Sequence, residues 1–270
     1  MTSDRDPREN LLLAALPPAE LQRLAPLIES VELPAGELLR LSGNTMRHVY
    51  FPTTAVVSLQ QNLECGSTAE IAVIGNEGVV GLSALAGAES TPSCAVVQCA
   101  GHAFRFDTQV IKDEFQRSGP ATRLLLLYTQ AVITLTAQTA VCNRFHSLQQ
   151  RLCRRLLQGL DRTQGDELTL THECIATALG VRREGVTTAA RDLREAGVIR
   201  YTRGRITVLD RTGLHGRTCE CYGVVKNEYE RLLGPTAPAM STCLSRMRPA
   251  VNLLPRKAPR PASAPHAVVA

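Results

Sequence analysis

Charged and hydroxyl side chains between residues 182 and 191 are of the types that read the edges of base pairs. Arginine donates to guanine, glutamate accepts from cytosine, and threonine bonds to bases or phosphates. These side chains lie opposite an apolar face made by Val186, Ala189 and Leu193, which recur at helical spacing. The polar residues are Arg182, Arg183, Glu184, Thr187, Thr188 and Arg191. We predict that they contact double-stranded DNA from a helix over residues 182–195.

A second helix must hold this one in place. Ile175, Ala176 and Leu179 form an apolar face just before it, and Gly180 supplies a tight turn between the two helices. This pattern is typical of a helix-turn-helix. The alternative is a helical hairpin whose charged face is only solvated, because basic faces are common on soluble helices.

The residues that follow favour DNA binding over a solvated hairpin. Residues 199–201 and 205–209 can pair across Thr202-Arg203-Gly204, which predicts a β-hairpin. A basic hairpin beside a helix-turn-helix makes a winged helix. Arg203, at the tip of the hairpin, is therefore a further candidate DNA contact.

The net charge of +5 is unevenly distributed along the 270 residues. Residues 143–217 carry 14 Arg and 8 Asp/Glu, whereas residues 1–118 carry 8 Lys/Arg and 14 Asp/Glu. The positive part surrounds the helix-turn-helix, as binding to a polyanion requires. The sequence shows no nucleophile motif, no phosphate-binding loop and no pair of carboxylates placed by a motif, so we predict no catalytic residues and no enzyme. The N-terminus does not resemble a signal peptide, and we expect a cytoplasmic protein.

Nine cysteines could carry redox or metal chemistry. Cys94 and Cys99 could form a redox pair if they met in neighbouring strands, and Cys219 with Cys221 could bind a soft metal. In a reducing cytoplasm, however, a chain of this length needs no disulfides. We therefore interpret the cysteines as small buried hydrophobes and predict no metal and no cofactor.

Short strands dominate the N-terminal half, after a helical entry over residues 9–30. Apolar residues alternate with a period of two in seven stretches bounded by turn signals, the pattern of an antiparallel sandwich or roll. The stretches are marked by Val31/Leu33, Leu39/Leu41, Val49/Phe51, Val57/Leu59, Ile71/Val73, Val96 and Phe104/Phe106. We assign residues 1–118 to this roll.

A long helix is predicted over residues 119–146. Its positions at steps of four and three predict a seam through which two copies of the helix pair. The seam residues are Leu124, Tyr128, Ala131, Leu135, Gln138 and Cys142. A single buried helix is the alternative, and a membrane span is disfavoured by six polar residues among positions 124–142. We expect a homodimer that does not enter a membrane.

Residues 147–233 are assigned to the winged-helix domain. It begins with a helix over residues 148–160 that carries Arg151, Arg154 and Arg155 on its polar side, and a polar connector follows over residues 161–168. One more helix is predicted over residues 212–233. Residues 234–270 are rich in Pro and Ala without periodicity, which predicts a disordered tail. The expected fold class is α+β, with an N-terminal antiparallel β-roll of jelly-roll type, a long dimerisation helix and a C-terminal winged helix-turn-helix.

This order of elements resembles the CRP/FNR superfamily of bacterial transcription regulators over about residues 9–233. The most specific match is Gly180-Val181-Arg182-Arg183-Glu184-Gly185-Val186-Thr187, which is similar to the family's recognition helix. The resemblance implies that Arg183 reads guanine and that Glu184 accepts from cytosine. It also implies a dimer on a two-fold-symmetric operator, and it adds RNA polymerase to the expected partners.

The roll departs from the family's cyclic-nucleotide pattern. Nucleotide-binding members carry a Gly-Glu pair for the ribose and an Arg-Ser/Thr-Ala triplet for the phosphate, where this chain has Gly81-Leu82 and Pro92-Ser93-Cys94. Neither Lys nor Arg occurs between Arg47 and Arg105, so we expect no cation inside the roll, and classical cyclic-nucleotide binding is disfavoured. Backbone amides could still hold an unknown small-molecule effector. The candidate pocket consists of Gly75, Gly78, Gly81, Leu82, Ser93 and Cys94.

Together these observations predict a homodimeric, sequence-specific DNA-binding transcription regulator that reads a palindromic operator. The alternative is a sensor module that responds to a small ligand or to thiol redox state.

Overall fold

The described part of the N-terminal half contains seven antiparallel strands in two sheets. They are β1 (Glu29–Leu33), β2 (Leu38–Arg40), β3 (His48–Pro52), β4 (Val56–Asn62), β5 (Thr68–Ile74), β6 (Ser93–Cys99) and β7 (Gly101–Asp107). The strand orders are β1-β7-β3 and β2-β6-β4-β5. Each of the seven predicted stretches coincides with one strand, and the predicted roll is confirmed. The computed structural model describes residues 5–84, 90–163 and 165–234.

Apolar side chains from both sheets fill the interior of the roll. Val57 and Val97 come from the four-stranded sheet, and Leu33 and Ala103 come from the three-stranded sheet. All four are buried in one cluster. The period-two alternation therefore sends one face of each sheet into a shared core, as in other packed sheets.

Helices pack beside the three-stranded sheet. The helical entry consists of α1 (Leu11–Ala14) and α2 (Pro18–Leu24), and α3 (Thr108–Gln116) follows the last strand of the roll. Together with residues of β3 and β7 they enclose a second apolar cluster. We did not predict α3, whose N-cap is Asp107, with a side chain that accepts from the backbone N–H of Gln109 at 2.8 Å.

The long helix α4 (Pro120–Phe145) spans the predicted residues. Within the described residues it is the one helix that could cross a membrane by length and composition, with a mean hydropathy of 1.5. One of its sides nevertheless packs into the apolar cluster of α1 to α3 and against α9 (Cys221–Leu233). The helix is thus part of the folded core.

The C-terminal half contains a winged helix. α5 (Leu148–Leu160), α6 (His172–Leu179) and α7 (Arg183–Glu195) pack with β8 (Glu167–Thr169), β9 (Ile199–Thr202) and β10 (Arg205–Val208), which form a sheet of order β8-β10-β9. The prediction of a polar connector over residues 161–168 was wrong at β8. Pairing with β10, rather than any local pattern, makes this segment a strand.

The last predicted helix is two helices. α8 (Arg211–Arg217) packs against α5, whereas α9 packs along α4. The prediction of one continuous helix was therefore wrong at residues 218–220, where the chain turns between them. The predicted tail lies outside the described residues from position 235 onward, and the predicted domain boundaries remain predictions.

Candidate nucleic-acid interface and effector site

The turn between α6 and α7 has the geometry that a helix-turn-helix needs. The hydroxyl of Thr171 caps α6 by accepting from the backbone N–H of Cys174 at 3.1 Å. Gly180 then ends α6 in the left-handed region, with φ 61° and ψ 43°, a conformation that favours glycine. The N–H of Val181 donates to the carbonyl of Ala176 at 3.0 Å and closes the turn.

The recognition helix α7 buries one face and exposes the other. Its buried residues are Val186, Ala189, Ala190 and Leu193. Its exposed face carries the predicted polar residues Arg182, Arg183, Glu184, Thr187, Thr188 and Arg191. The hydroxyls of Thr187 and Thr188 donate to helix carbonyls four residues earlier, and the Thr187 oxygen also lies 3.1 Å from Nδ1 of His172. One helix face therefore offers guanidinium donors, a carboxylate acceptor and hydroxyls.

The wing is a hairpin with a two-residue turn. Arg203 has φ 38° and Gly204 has φ 82°, and Thr202 pairs with Arg205 on either side of them. Positive φ at both central residues is characteristic of a type I′ turn, which matches the twist of the flanking strands. The turn holds Arg203 exposed at the tip of the wing.

His172 connects the wing to the recognition helix. Its ring stacks on Tyr201 of β9 with the ring centroids 4.1 Å apart, and its Nδ1 lies 3.1 Å from Oγ1 of Thr187. Burial, and to a smaller extent Arg183, lowers the pKa of His172 below its ordinary value of 6.5. Sequence reasoning missed this residue, because its partners lie 15 and 29 residues away and form no motif.

Most of the predicted dimer seam lies inside the chain. Four of its six residues are at most 3% exposed, namely Tyr128, Ala131, Leu135 and Cys142. Tyr128 donates through Oη to the carbonyl of Val79 at 3.4 Å. Leu124 and Gln138 are partly buried. The assignment of this face to a partner was wrong, because the roll and α9 of the same chain cover it.

The outer side of α4 carries a different apolar stripe. Leu126 and Ile133 are each 54% exposed, and Val141 is 45% exposed. With the exposed residues Gln130 and Ala137 they step by four, three, four and four along one helix face. This spacing is that of a helix-pairing seam.

The prediction that the roll interior has no cation was wrong. Arg40 lies on β2, before the stretch from Arg47 to Arg105 that contains no Lys or Arg. Its side chain is nevertheless only 7% exposed. Its guanidinium donates to Oγ of Ser93 at 2.8 Å and to Oγ of Ser83 at 3.1 Å, while its Nε is buried without a partner. Burial lowers the pKa of Arg40. Among the residues with described positions, no carboxylate pairs with it.

Three of the six predicted effector residues lie around Arg40, and three do not. Ser93 and Cys94 lie beside the guanidinium of Arg40. Gly81 lies against Met46, whose sulfur is 4.0 Å from that guanidinium. The others are Gly75, Gly78 and Leu82. The two glycines pack against the side chains of Arg162 and Tyr128, and Leu82 packs against the cluster of α1 to α3. The predicted pocket is thus not a single site.

Cys94 and Cys99 do not form a redox pair. Both lie on β6, five residues apart on one extended strand. At about 3.3 Å per residue their positions are roughly 16 Å apart. A disulfide between them would require the strand to unfold.

Comparisons with solved structures establish the fold. FixK2 of Bradyrhizobium japonicum matches with a TM-score of 0.63 at 17% identity, covering 71% of this chain and 98% of that protein's chain. A CRP-family transcriptional regulator from Thermus thermophilus matches with a TM-score of 0.57 at 22% identity, covering 69% and 95% of the two chains. Both share the order of roll, long helix and winged helix.

Comparisons of sequence point to the same group of regulators. The global nitrogen regulator of a Synechocystis strain is 27% identical over 198 residues, which are 68% of this chain and 85% of the relative. Residues 150–217 match the Crp-like helix-turn-helix domain. The chain is therefore similar to regulators of the CRP/FNR family. The Thermus thermophilus structure and the Synechocystis relative are both named as regulators, and the matched residues contain most of α5, both helices of the helix-turn-helix and the wing.

One buried and one partly buried ion pair join the roll to the C-terminal half. Nε of Arg155 on α5 lies 2.8 Å from Oε1 of Glu70 on β5, and the same guanidinium donates to Oε1 of Gln98 on β6. Nη2 of Arg162 lies 2.7 Å from Oε1 of Glu77, in the partly buried pair. We predicted Arg155 on the polar side of α5, and the roll covers this part of that side.

A thiol and imidazole cluster lies where α4 ends. Its members are Cys142, His146, Cys219 and Cys221, whose ligand atoms all lie within 4.8 Å of one another. The sequence analysis considered Cys219 and Cys221 as a pair for a soft metal, but it did not connect them with Cys142 and His146 and predicted no metal. The available signals were the spacing of four between Cys142 and His146 on a helix and the Cys-x-Cys pair. The turn between α8 and α9 brings the two parts together.

Proposed function

We propose that this protein is a homodimeric, sequence-specific DNA-binding regulator that reads a palindromic operator with α7. The observation that carries the proposal is the division of α7 into a buried apolar face and an exposed face of arginine, glutamate and threonine. The N-terminal part of such a helix enters the major groove. Arg183 and Glu184 lie in the first turn of α7, where base contacts form. We place this activity in the cytoplasm, with RNA polymerase as the further partner.

A selection from random oligonucleotides by the full-length protein tests this proposal. The selected sites should be palindromes with half-sites one DNA turn apart. Arg183→Ala should weaken binding to the selected operator by about 1–3 kcal/mol and relax the preference at one base pair of each half-site. Arg194→Ala, at the C-terminal end of the same helix, is the matched control and should leave the base preference unchanged. An equal loss on all sequences with Arg183→Ala would contradict base reading.

The proposed dimer forms through the outer stripe of α4. Leu126, Ile133 and Val141 expose an apolar surface that a second copy of the helix would cover, and their spacing allows interdigitation. Ile133→Glu should shift the protein from dimer to monomer in sedimentation experiments, because a carboxylate would be buried in the seam. Leu63→Glu is the matched control, since Leu63 is 58% exposed in the turn between β4 and β5. A monomeric wild-type protein would contradict the proposal.

A second function is favoured by Arg40. We infer that the roll binds a small anionic effector there, because this guanidinium is buried and its partners among the described residues are all neutral. The site lacks the arginine that the family's nucleotide-binding pattern places beside Ser93, so its ligand should differ from a cyclic nucleotide.

Melting temperatures of the full-length protein test the effector site. Small carboxylates, phosphate, organic phosphates and cyclic nucleotides serve as probes. A ligand at 100 times its Kd should stabilise the protein by about 2.7 kcal/mol. The shift should vanish in Arg40→Met and persist in Arg47→Met, which alters an exposed arginine. A shift that survives Arg40→Met would place the effector elsewhere.

A further inference from the structure

Four side chains from two distant parts of the sequence converge at the junction between α4 and α5. Cys142 belongs to the last turns of α4, and His146 caps the end of that helix. Cys219 lies in the turn that separates α8 from α9, and Cys221 is the first residue of α9. The three cysteines are at most 3% exposed and form a small cluster of their own. They are free thiols, as are the other described cysteines.

The separations of the ligand atoms match those around one tetrahedral metal ion. A zinc ion with sulfur at about 2.3 Å and nitrogen at about 2.0 Å sets its ligand atoms roughly 3.5–3.8 Å apart. Sγ of Cys142 lies 3.6 Å from Sγ of Cys219, and Sγ of Cys221 lies 3.4 Å from Nδ1 of His146. All four atoms fall within 4.8 Å of one another.

The surroundings of the cluster orient its ligands. Nε2 of His146 lies 3.3 Å from Oε2 of Glu220, so a hydrogen bond there leaves the lone pair of Nδ1 directed at the cysteines. Nε2 of Gln138 donates a hydrogen bond to Sγ of Cys221 at 3.1 Å. A metal-bound thiolate would accept such a hydrogen bond. A carboxylate behind a ligating histidine is a recurring second contact in zinc sites.

We propose that Cys142, His146, Cys219 and Cys221 bind one zinc ion in a closed structural site. The Cys₃His set is among those that hold structural zinc, and it leaves no open position for catalysis. A disulfide would use only two of the four groups. An iron–sulfur cluster would distribute its ligands over several iron atoms and need wider spacing than a single ion does.

The site would fix the place where the two halves of the protein meet. α4 ends at Phe145, and α5 begins at Leu148 with Ser147 as its cap. A zinc ion would tie this junction to the turn between α8 and α9, and so hold α9 along α4. Burial raises the pKa of the Cys219 and Cys221 thiols, which favours the neutral form until a cation offsets the thiolates.

Metal analysis of the full-length protein is the first test. Protein purified under reducing conditions from zinc-supplemented medium should contain about one zinc ion per chain. Cys219→Ser should lose the metal, whereas Cys65→Ser and Cys99→Ser should keep it, because those residues lie outside the cluster. Metal-free wild-type protein, or loss of zinc in the control variants as well, would overturn the proposal. Iron with the visible absorption of an iron–sulfur cluster would also overturn it.

Cobalt substitution tests the ligand set in a protein that stays folded. Co²⁺ in the wild-type protein should give the intense visible bands of tetrahedral coordination and a sulfur-to-cobalt charge-transfer band. His146→Cys should retain the tetrahedral bands with a stronger charge-transfer band, while His146→Ala should lose the tetrahedral signature. Octahedral spectra in the wild-type protein would contradict the site. Glu220→Gln should weaken zinc affinity by about 10-fold, the lower end of such effects, since Glu220 is largely exposed.

Chelation tests the structural role. Removal of zinc from the wild-type protein should speed amide hydrogen exchange in residues 140–147 and 217–224 and leave the roll unchanged. The same chelator should have no effect on Cys219→Ser. Unaltered exchange after complete removal of zinc from the wild-type protein would show an ion without a structural role and would overturn this part of the proposal.

Discussion

Arg155 and Arg40 are two buried guanidinium groups with opposite surroundings. Arg155 lies between the roll and α5, where the carboxylate of Glu70 neutralises it at 2.8 Å. Arg40 lies inside the roll and meets two serine hydroxyls and a methionine sulfur. An arginine side chain keeps its proton in proteins, so neither group can become neutral to suit its surroundings.

The difference distinguishes a charge that holds the fold together from one that is available to a ligand. A buried ion pair that loses one member leaves an uncompensated charge, which is strongly destabilising. A buried cation whose described partners are all neutral already has the unfavourable free energy of an uncompensated charge. Binding of an anion would offset this cost. The two arginines should therefore respond to substitution in opposite ways.

Removal of the charge on Glu70 should have the largest effect. Glu70→Gln keeps the shape of the side chain but leaves Arg155 buried without a counter-ion, and should lower the free energy of unfolding by about 3–5 kcal/mol. Urea unfolding measures the change. Glu64→Gln, an exposed carboxylate in the turn between β4 and β5, is the control and should change stability by less than about 0.5 kcal/mol.

A double variant separates the lost pair from lost packing. Arg155→Met in the background of Glu70→Gln removes the uncompensated charge and should recover most of the stability. If the double variant is as unstable as Glu70→Gln alone, the side chains matter through packing rather than charge.

Substitution of Arg40 should have a smaller effect on the unliganded protein. Arg40→Met removes a cation that has no described carboxylate partner, so the free energy of unfolding should stay within about 1.5 kcal/mol of the wild type. The same urea experiment measures it. A loss as large as that of Glu70→Gln would make Arg40 a second structural charge and would abolish the contrast.

His172 is a third case, because its imidazole ring can lose its proton and become neutral. Its folded pKa is lowered by burial, so the unfolded chain binds more protons below the ordinary value of 6.5. Stability is fully present above this pH and is lost as the pH falls through the window below it. A pKa that differs by one between the folded and the unfolded chain corresponds to ~1.4 kcal/mol of stability. The loss of stability on acidification should be a fraction of this value, since the ring is only partly buried.

Melting curves at pH 7.5 and pH 5.5 measure this effect. The wild type should lose more stability on acidification than His172→Gln, which cannot be protonated. Equal losses in the two proteins would mean that other groups account for the pH dependence.

Local patterns predicted the elements because periodicity reports which side of an element is buried. All seven strands of the roll, α4, α5 and the two helices of the helix-turn-helix follow from it. β8 could not be predicted in this way, since its three residues become a strand only through pairing with β10. The break between α8 and α9 was also missed, because the apolar residues that predicted the helix, Tyr222, Val225, Tyr229 and Leu232, all lie within α9.

Site residues were harder to predict, because long-range packing selects them. Both sides of α4 are apolar, and only the presence of the roll and α9 decides that Tyr128 faces inward and Leu126 outward. Arg40 was overlooked since the sequence does not say which arginine near a strand end turns into the roll. The exposed face of α7 was predicted in full, because a helix with one buried face fixes the opposite face as well.

If the proposed dimer forms through the outward apolar side of α4, the thermal stability of the protein depends on its concentration. A lone chain would leave Leu126 and Ile133 in water, whereas a paired chain removes them from it. Since association favours the folded form by mass action, dilution alone should lower the melting temperature. The inward side of the same helix packs Tyr128 against the roll, so dissociation of the proposed dimer should also affect the roll and not only the seam.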